Sequence, residues 1–539
     1  METIQSIGAS HGFGLGDLSI YTKEIDLEAK IVNNFQKTIE SITKEFESKV
    51  ETLKGENRKI EAEVLESYIV ILEDPEINSN LSTNSTLEEV FTLFEENAKQ
   101  MESLDDEYFA QRAEDIRSLC KDVIIGMQDA SSLFELQEGT ILAAEDLTPT
   151  DTSNMDLNNI EGLIIKYGGL TSHAVIVAKN LGIPCVIGLN DNFTRLKNGQ
   201  KVLINGENGE VIINPDTNRI DELQKKIKEQ EALVLSFTKK KLEDSDLDLR
   251  VNIGSNEEID QFNSEVLESI GLFRSEFIFL DSKEPPSLDQ QISVNNKLSK
   301  KFSGTVIYRL LDVGGDKQVE YLNINKEENP FLGVRGIRLI ESNENVFSSQ
   351  LESIFKSDLH SRAKVMLPMV STLEDLYTTR RLIKEIAKKE GKEPLPMGVM
   401  IETPSAALIA EKLADNVDFF SIGSNDLTMY TLAADRGNVE LRKYQDPLHP
   451  SVLKLINNVI STGTNKGIEV SVCGEMASDS IASIILYSLG LRVFSLSPSS
   501  AALIFHTLSD SKFIRNKTPL NIDEFAHAEE IREYVNENN

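Results

Sequence analysis

The chain has few cysteines and no long apolar run. Its three cysteines, Cys120, Cys185 and Cys473, lie far apart in 539 residues, which suits a reducing compartment and excludes a disulfide framework. No apolar run reaches the ~18 residues that span a membrane, and the N-terminus lacks the basic and then apolar layout of a secretion signal. We therefore expect a cytoplasmic protein that does not enter a membrane.

Basic residues are also scarce. The chain has 55 Lys and Arg against 88 Asp and Glu, which gives a net charge of −33. This charge repels nucleic acid and anionic membranes and attracts a positively charged protein partner, although solubility alone would also explain it. Because low-complexity segments are absent as well, the length and composition predict a globular protein of several domains.

Two separate segments predict one small α/β domain. Residues 1–22 are typical of short strands with glycine turns. Four further apolar runs within residues 144–215 predict a small sheet, which could pair with the first segment.

Residues 23–143 lie between these segments and have a helical pattern. Apolar residues recur at helical spacing from Phe35 to Leu72, then through Val90 to Met101, and again from Asp105 to Met127. Ser85 and Glu88 have the spacing of a capping box. We interpret this segment as an all-helical insert in the α/β domain.

A charged helical stretch at residues 216–247 is interpreted as a linker, and strands alternate with helices beyond it. Eight apolar runs have strand character: 249–254, 269–274, 305–311, 364–369, 397–402, 418–423, 468–473 and 491–496. Eight such units predict a (β/α)₈ barrel over residues 248–539. In such a barrel the reactive groups lie at the carboxyl ends of the strands.

His173 is the first candidate for chemistry. It follows Gly168-Gly169-Leu170-Thr171-Ser172 and precedes an apolar helical run, which predicts a glycine turn with His173 in the first turn of a helix. Free backbone N–H groups and the helix dipole favour an anion there, so a phosphoryl group on the imidazole would be stabilised. A buried or capping histidine is the alternative.

Polar side chains gather near the predicted strand ends of the barrel. Glu402 and Asp426 are carboxylates of the kind that Mg²⁺ binds. Guanidinium groups match phosphate and carboxylate bidentately. Four arginines of the barrel segment stand out by their glycine- and asparagine-rich contexts near predicted strand ends: Arg274, Arg309, Arg335 and Arg436. Single arginines usually form surface ion pairs and single carboxylates often cap helices, but one pocket could hold all of these side chains and Asn425.

Cys473 ends the seventh predicted strand of the barrel. A free cysteine is often no more than a small buried core residue, and we interpret Cys120 and Cys185 in that way. The strand-end position of Cys473 favours a chemical role.

These motifs resemble those of the phosphoenolpyruvate–protein phosphotransferases, enzyme I of the bacterial sugar phosphotransferase system, over essentially the whole chain. Besides Gly168–His173, the matching segments are 69–75, 104–108, 145–149, 312–317, 329–335, 401–404, 423–428 and 435–438. The resemblance implies a swivelling phosphohistidine α/β domain at residues 1–22 and 144–215 and a helical domain at 23–143. The barrel at 248–539 would bind phosphoenolpyruvate and form a homodimer.

The resemblance also implies roles for single residues. Glu402 and Asp426 would bind Mg²⁺, and the phosphate and carboxylate of phosphoenolpyruvate would be held by Arg274, Arg309, Arg335, Asn425 and Arg436. Cys473 would protonate the enolate carbon as pyruvate forms, and His173 would carry the phosphoryl group to a histidine of the small phosphocarrier HPr. HPr would dock on the helical domain, and this transfer would be the first step of sugar uptake.

Leu170 departs from the family pattern, which commonly has arginine at that place, so anion support beside His173 would be weaker. A dikinase or synthase with a similar swivelling domain is the enzymatic alternative, but it needs a nucleotide-binding domain, and the sequence has no P-loop pattern. A catalytically inactive regulatory protein of the same fold is the alternative of a different class.

Overall fold

The fold is described from a computed structural model. It describes residues 2–10, 12–21, 25, 27–55, 59–74, 80–102, 107–128, 136–147, 151, 155, 159–167, 174–175, 177–178, 182–206, 208–280, 284–314, 319–322, 324, 327–435 and 439–539. The chain forms two compact units, Met1–Lys228 and Glu229–Asn539, and each is described by itself.

An eight-stranded sheet forms the centre of the first unit. Its strands are β1 (Glu2–Gln5), β2 (Ile7–Ser10), β3 (Phe13–Tyr21), β4 (Thr140–Ala144), β5 (Ile160–Ile165), β6 (Cys185–Ile187), β7 (Lys201–Asn205) and β8 (Glu210–Ile213). Their order across the sheet is β1-β8-β7-β3-β4-β5-β6-β2, so the N-terminal strands pair with the later ones as the sequence predicted. Strand β3 lies between β7, which is antiparallel to it, and β4, which is parallel.

The two shortest N-terminal strands lie at opposite edges of this sheet. Strand β1 pairs with β8, whereas β2 pairs with β6 at the far edge. Ser6 joins them: its backbone N–H donates to Gly209 O at 2.8 Å, and its hydroxyl donates to Ile187 O at 2.6 Å. One continuous segment of nine residues, 2–10, therefore forms both edges of the sheet.

Four long helices separate β3 from β4: α1 (Phe35–Gly55), α2 (Lys59–Leu72), α3 (Leu87–Glu102) and α4 (Glu107–Gln128). Their apolar faces pack together, with Phe35, Tyr68 and Phe94 completely buried, as the helical periodicity predicted. The capping box is displaced by one residue from its predicted position. Thr86 and Glu89 exchange side-chain to backbone hydrogen bonds of 2.8 and 3.2 Å, and α3 starts directly after Thr86.

Strand β4 was not predicted, since the sequence analysis extended the helical insert to residue 143. The strand begins at Thr140, and each of its five residues is buried. Apolar and polar residues alternate in a half-exposed strand but not in a fully buried one. Periodicity therefore does not distinguish a short buried strand from a buried helix.

Helices α5 (Thr217–Ser236) and α6 (Lys239–Glu243) occupy the stretch predicted as a linker, and a closed barrel follows. All eight predicted strands are present: β9 (Asp248–Ile253), β10 (Ile270–Arg274), β11 (Val306–Arg309), β12 (Ala363–Leu367), β13 (Met397–Ile401), β14 (Phe419–Ile422), β15 (Glu469–Val472) and β16 (Val493–Leu496). Every neighbouring pair is parallel, and β16 pairs with β9 to close the ring. The predicted fold class, α/β with a (β/α)₈ barrel, is confirmed.

In the described part of the second unit, thirteen α-helices lie between and after these strands. They are α7 (Asn256–Gln261), α8 (Phe277–Leu280), α9 (Leu288–Lys301), α10 (Glu344–Lys356), α11 (Tyr377–Glu390), α12 (Pro404–Leu408), α13 (Ala410–Ala414), α14 (Ser424–Leu432), α15 (Pro450–Lys466), α16 (Ser480–Ser488), α17 (Ala501–Asp510), α18 (Lys512–Arg515) and α19 (Ala528–Asn538). Among the residues that the structure describes, no helix combines the length and apolar character needed to cross a membrane.

Strand residues of the barrel form a separate buried cluster that consists of Leu272, Ile307, Met366, Met400, Phe419 and Cys473. Near the amino ends of the strands, Arg250 is 5% exposed and donates to both oxygens of Glu469 at 2.8 Å, with Asp248 as a second partner. Because a buried guanidinium is tolerated only when it is paired, these carboxylates stabilise that end of the barrel. The candidate site lies at the opposite end of the barrel, where the strands have their carboxyl ends.

Gly398 of β13 is a position where the barrel tolerates no side chain. A Cβ there would lie 2.5 Å from the Phe419 ring on the neighbouring strand. We expect Gly398→Ala to lower the free energy of unfolding by about 1–3 kcal/mol, because the ring must move within a packed core. Urea denaturation followed by circular dichroism would measure this loss.

Gly254→Ala is a matched control, because its Cβ would make an ordinary 3.5 Å contact with Arg274. Equal stability of the Gly398→Ala and Gly254→Ala variants would contradict this account of the packing.

Candidate active site

Closure of the parallel barrel brings several predicted site residues to the same end. Arg274 and Arg309 are the last residues of β10 and β11, and Glu402 and Cys473 directly follow β13 and β15. Asn425 and Asp426 lie in the first turn of α14, just after β14. All carboxyl ends of parallel strands meet at one mouth, so residues more than 150 positions apart in sequence become neighbours there.

Arg309 is held by two carboxylates. Its side chain is 8% exposed and lies 2.9 Å from Glu276 Oε1 and 3.1 Å from Asp312 Oδ2. Burial by itself would lower the pKa of this guanidinium, but Glu276 and Asp312 raise it. Arg309 is therefore a permanent positive charge in a fixed position.

Arg335 is shared between Asp312 and a further carboxylate, Asp426. It lies in the segment between β11 and β12, where Nε and Nη2 donate to Asp312 at 3.0 and 3.1 Å. Nη1 and Nη2 donate to the two oxygens of Asp426, both at 3.3 Å. The structure thus brings Arg335 to the strand ends through its ion pairs.

Glu402 is the most deeply buried carboxylate of the group, at 1% exposure. Its Oε1 accepts the backbone N–H of Met369 at 2.6 Å, and Met369 adopts a left-handed backbone with φ of 59°. Few residues other than glycine adopt this conformation, and strained residues of this type cluster at functional sites. Gly423 makes room on the other side, since a Cβ there would lie 3.2 Å from Glu402 Oε2.

The charge of this carboxylate is poorly compensated. Burial, and then the negative charges of Asp426 and Asp312, raise the pKa of Glu402 to about 8, although Arg335 and Arg309 oppose the shift. A divalent cation on Glu402 and Asp426 would relieve this repulsion, so the two residues fit a metal. Within the described ranges no three acidic, histidine or cysteine side chains form a ready cage. The remaining ligands would therefore come from substrate oxygens and water, as is common for Mg²⁺.

Asn425 and Cys473 both lie at this mouth. Asn425 Oδ1 accepts the backbone N–H of Glu475 at 3.0 Å, which leaves its amide N–H groups as donors. Cys473 is 2% exposed, and its thiol lies 3.6 Å from Ile422 O. Burial raises the pKa of the Cys473 thiol to about 11, so the sulfur carries a proton at neutral pH.

Arg274 differs from the other two arginines because it is exposed at the rim. It has no ion-pair partner among the described residues, whereas Arg309 and Arg335 are both saturated with carboxylates. Its guanidinium group is therefore available to an anion from solvent.

His173 and Arg436 lie outside the described residues, as do Leu170 and the rest of the predicted glycine turn. The structure brings together the other seven predicted site residues: Arg274, Arg309, Arg335, Glu402, Asn425, Asp426 and Cys473. Sequence reasoning missed the roles of Glu276, Asp312 and Met369. Asp312 does lie in a segment that matches the family motif, so its presence there was a usable signal.

Comparison with known proteins assigns the chain to a class of enzymes. Residues 227–512 match the PEP-binding domain of PEP-utilising enzymes, residues 136–209 match the mobile domain, and residues 5–112 match the N-terminal domain. The chain is thus a member of the PEP-utilising enzymes.

Relatives that match nearly the whole chain identify the family within this class. The phosphoenolpyruvate-protein phosphotransferase of Borreliella burgdorferi is 34% identical over 97% of this chain and 96% of the relative. The Bacillus subtilis protein of the same name is also 34% identical, over 93% of each chain. A solution structure of an Enzyme I protein (nEIt) is 30% identical with a TM-score of 0.35 and covers 42% of this chain and 99% of that chain. The chain belongs to the phosphoenolpyruvate-protein phosphotransferase family.

The raised pKa of Glu402 predicts a gain in stability when its charge is removed. A carboxyl group whose folded pKa lies above its unfolded value destabilises the fold increasingly as pH rises from about 4.5 towards 8. In EDTA we expect Glu402→Gln to raise the free energy of unfolding by about 1–4 kcal/mol at pH 8.5 and by less at pH 6. Thermal denaturation at both pH values would measure this.

Added Mg²⁺ should stabilise the parent protein but not the Glu402→Gln variant, because binding to the folded state alone raises stability. If the variant is less stable than its parent at pH 8.5 in EDTA, the proposed charge repulsion is wrong.

Proposed function

We propose that this protein transfers the phosphoryl group of phosphoenolpyruvate to its own His173, releases pyruvate, and passes the phosphoryl group to a histidine of the phosphocarrier HPr. This transfer would be the first step of sugar uptake by the phosphotransferase system. One observation carries the proposal: arginines that suit an anion, two carboxylates that suit a cation and a buried protonated thiol meet at one mouth of the barrel. Membership of the family supports it.

The anionic donor would be held by charge and by fork-shaped hydrogen bonds. Arg274, Arg309, Arg335 and Arg436 would contact its phosphate and carboxylate, and the Asn425 amide would add a neutral donor. Mg²⁺ on Glu402 and Asp426 would neutralise charge that develops on the donor oxygens. The permanent charge of Arg309 and the exposed position of Arg274 support these assignments.

In the chemical step, a nitrogen of His173 attacks the phosphorus atom, and the bond between phosphorus and the enol oxygen breaks. The electron pair of that bond becomes the enolate of pyruvate. The Cys473 thiol then gives its proton to the enolate carbon, which forms pyruvate and leaves a thiolate that takes a proton from solvent. A thiol with a pKa near 11 holds that proton until the strongly basic enolate appears.

The acceptor and the assembly belong to the same proposal. We expect HPr to dock on the helical segment at residues 23–143, and the net charge of −33 would attract a basic surface on this partner. We further propose a cytoplasmic homodimer formed through the barrel.

Incubation with ³²P-phosphoenolpyruvate and Mg²⁺ tests the donor and the site together. We expect acid-labile, base-stable label on the protein, because phosphohistidine has this stability, and transfer of the label to added HPr. His173→Ala should abolish the label, whereas His527→Ala, which changes an exposed histidine, should not. Label on the His173→Ala variant would mean that the site is assigned wrongly, and an unlabelled parent would exclude the proposed activity.

Cys473→Ala tests the proton donor. We expect turnover to fall by about 10²–10⁴-fold, the usual range for loss of a general acid, while phosphoenolpyruvate binding stays largely intact. Pyruvate release coupled to lactate dehydrogenase and isothermal titration calorimetry would measure the two quantities. Cys185→Ala is the matched control, because Cys185 is buried in the first unit. Pyruvate release at the parental rate from Cys473→Ala would refute the role.

A further inference from the structure

Among the described residues, Asp312 is the carboxylate that contacts both buried arginines of the site. It forms an ion pair with Arg309, whose Nη1 lies 3.1 Å from Asp312 Oδ2, and it accepts from Arg335 Nε and Nη2 at 3.0 and 3.1 Å. Its side chain is 2% exposed. The two guanidinium groups would repel each other if this carboxylate were neutral, so Asp312 keeps them side by side.

The backbone fixes Asp312 relative to Arg335. Gly336 N–H donates to Val313 O at 3.0 Å, so the segment after β11 is bonded to the segment that carries Arg335. The two segments also pack closely at the Asp312 side chain, because a Cβ on Gly336 would lie 3.1 Å from Asp312 Oδ1. Asp312 therefore cannot move far from Arg335.

Arg335 has no free edge for a phosphate in this arrangement, because all three of its nitrogens already donate to carboxylates. Bidentate binding of an anion requires one carboxylate to give up its contact. Asp426 is the partner that can do so. Its contacts are longer, at 3.3 Å, and a cation on Glu402 and Asp426 would compensate its charge.

We propose that Asp312 is a positioning residue for phosphoenolpyruvate binding: it holds Arg335 beside Arg309 while Asp426 exchanges Arg335 for the divalent cation. This inference rests on the proposed function. It implies that the cation promotes anion binding by releasing one edge of Arg335, and that Asp312 prevents the released guanidinium from leaving the site.

Binding measurements on Asp312→Asn test the inference. The probe is 2-phosphoglycolate, a stable anion with one phosphate and one carboxylate, titrated by calorimetry in saturating Mg²⁺. We expect its dissociation constant to rise about 10–100-fold, the usual loss when a buried charge pair is truncated. The dissociation constant of Mn²⁺ without the anion, measured by electron paramagnetic resonance, should change less than about fivefold, since Glu402 and Asp426 remain.

Glu469→Gln is the matched control, because it truncates a buried arginine–carboxylate pair at the amino ends of the strands. This variant should bind 2-phosphoglycolate with parental affinity. An unchanged affinity in Asp312→Asn would overturn the inference, and so would equal losses for the anion and Mn²⁺ or a comparable loss in Glu469→Gln.

A second variant keeps the test decisive if Asp312→Asn does not fold. Asp312→Glu retains the charge but lengthens the side chain by one methylene, and we expect it to weaken 2-phosphoglycolate binding at least about fivefold. Parental affinity in this variant would also overturn the inference. Failure of the parent itself to bind 2-phosphoglycolate would overturn the proposed function, which distinguishes that failure from failure of the positioning role.

Discussion

The hydrogen bonding between β16 and β9 is the constraint on which the candidate site depends. It turns eight parallel strands into a ring, and a ring of parallel strands has all its carboxyl ends at one mouth. Arg274 and Cys473 come to the same mouth for this reason, although they are far apart in the sequence. Most of the described candidate side chains lie at a strand end or within a few residues of one, so the register of the barrel sets their positions. Arg335 is the exception among them, since it lies in the segment between β11 and β12 and is held by Asp312 and Asp426.

Charged side chains are buried at both ends of the barrel, and their charges are compensated differently at the two ends. At the amino ends of the strands, Arg250 has both of its carboxylate partners in place. At the carboxyl ends, Glu402 has one backbone donor and negative neighbours. The charges at the amino end are therefore compensated within the chain, whereas the carboxyl end would gain stability from a bound cation. The candidate site lies where the compensation is incomplete.

Much of this organisation could be predicted from the sequence. The barrel strands are short apolar runs separated by helical periodicity, and a motif such as Gly423–Asp426 ties a strand end to a helix start. Other features could not be predicted from patterns in the sequence. Strand β4 lacks alternation because it is buried on both faces. The capping box is displaced because the Ser85 hydroxyl accepts the backbone N–H of Ser82 at 2.9 Å, and Thr86 pairs with Glu89 instead. The proposed positioning role of Asp312 depends on Arg335. This arginine lies 23 residues further along the chain, and only folding brings it to Asp312.

The sheet of the first unit has a consequence for the order in which the chain can fold during synthesis. Residues 2–5 pair with residues 210–213, so strand β1 lacks its partner during synthesis until the end of this unit has been made. The helices between β3 and β4 bury their apolar faces against one another and can therefore fold while the sheet is incomplete. Both edges of that sheet stay uncovered until nearly the whole unit has been translated, which makes this interval the one in which a nascent chain is most exposed to strand pairing with its neighbours.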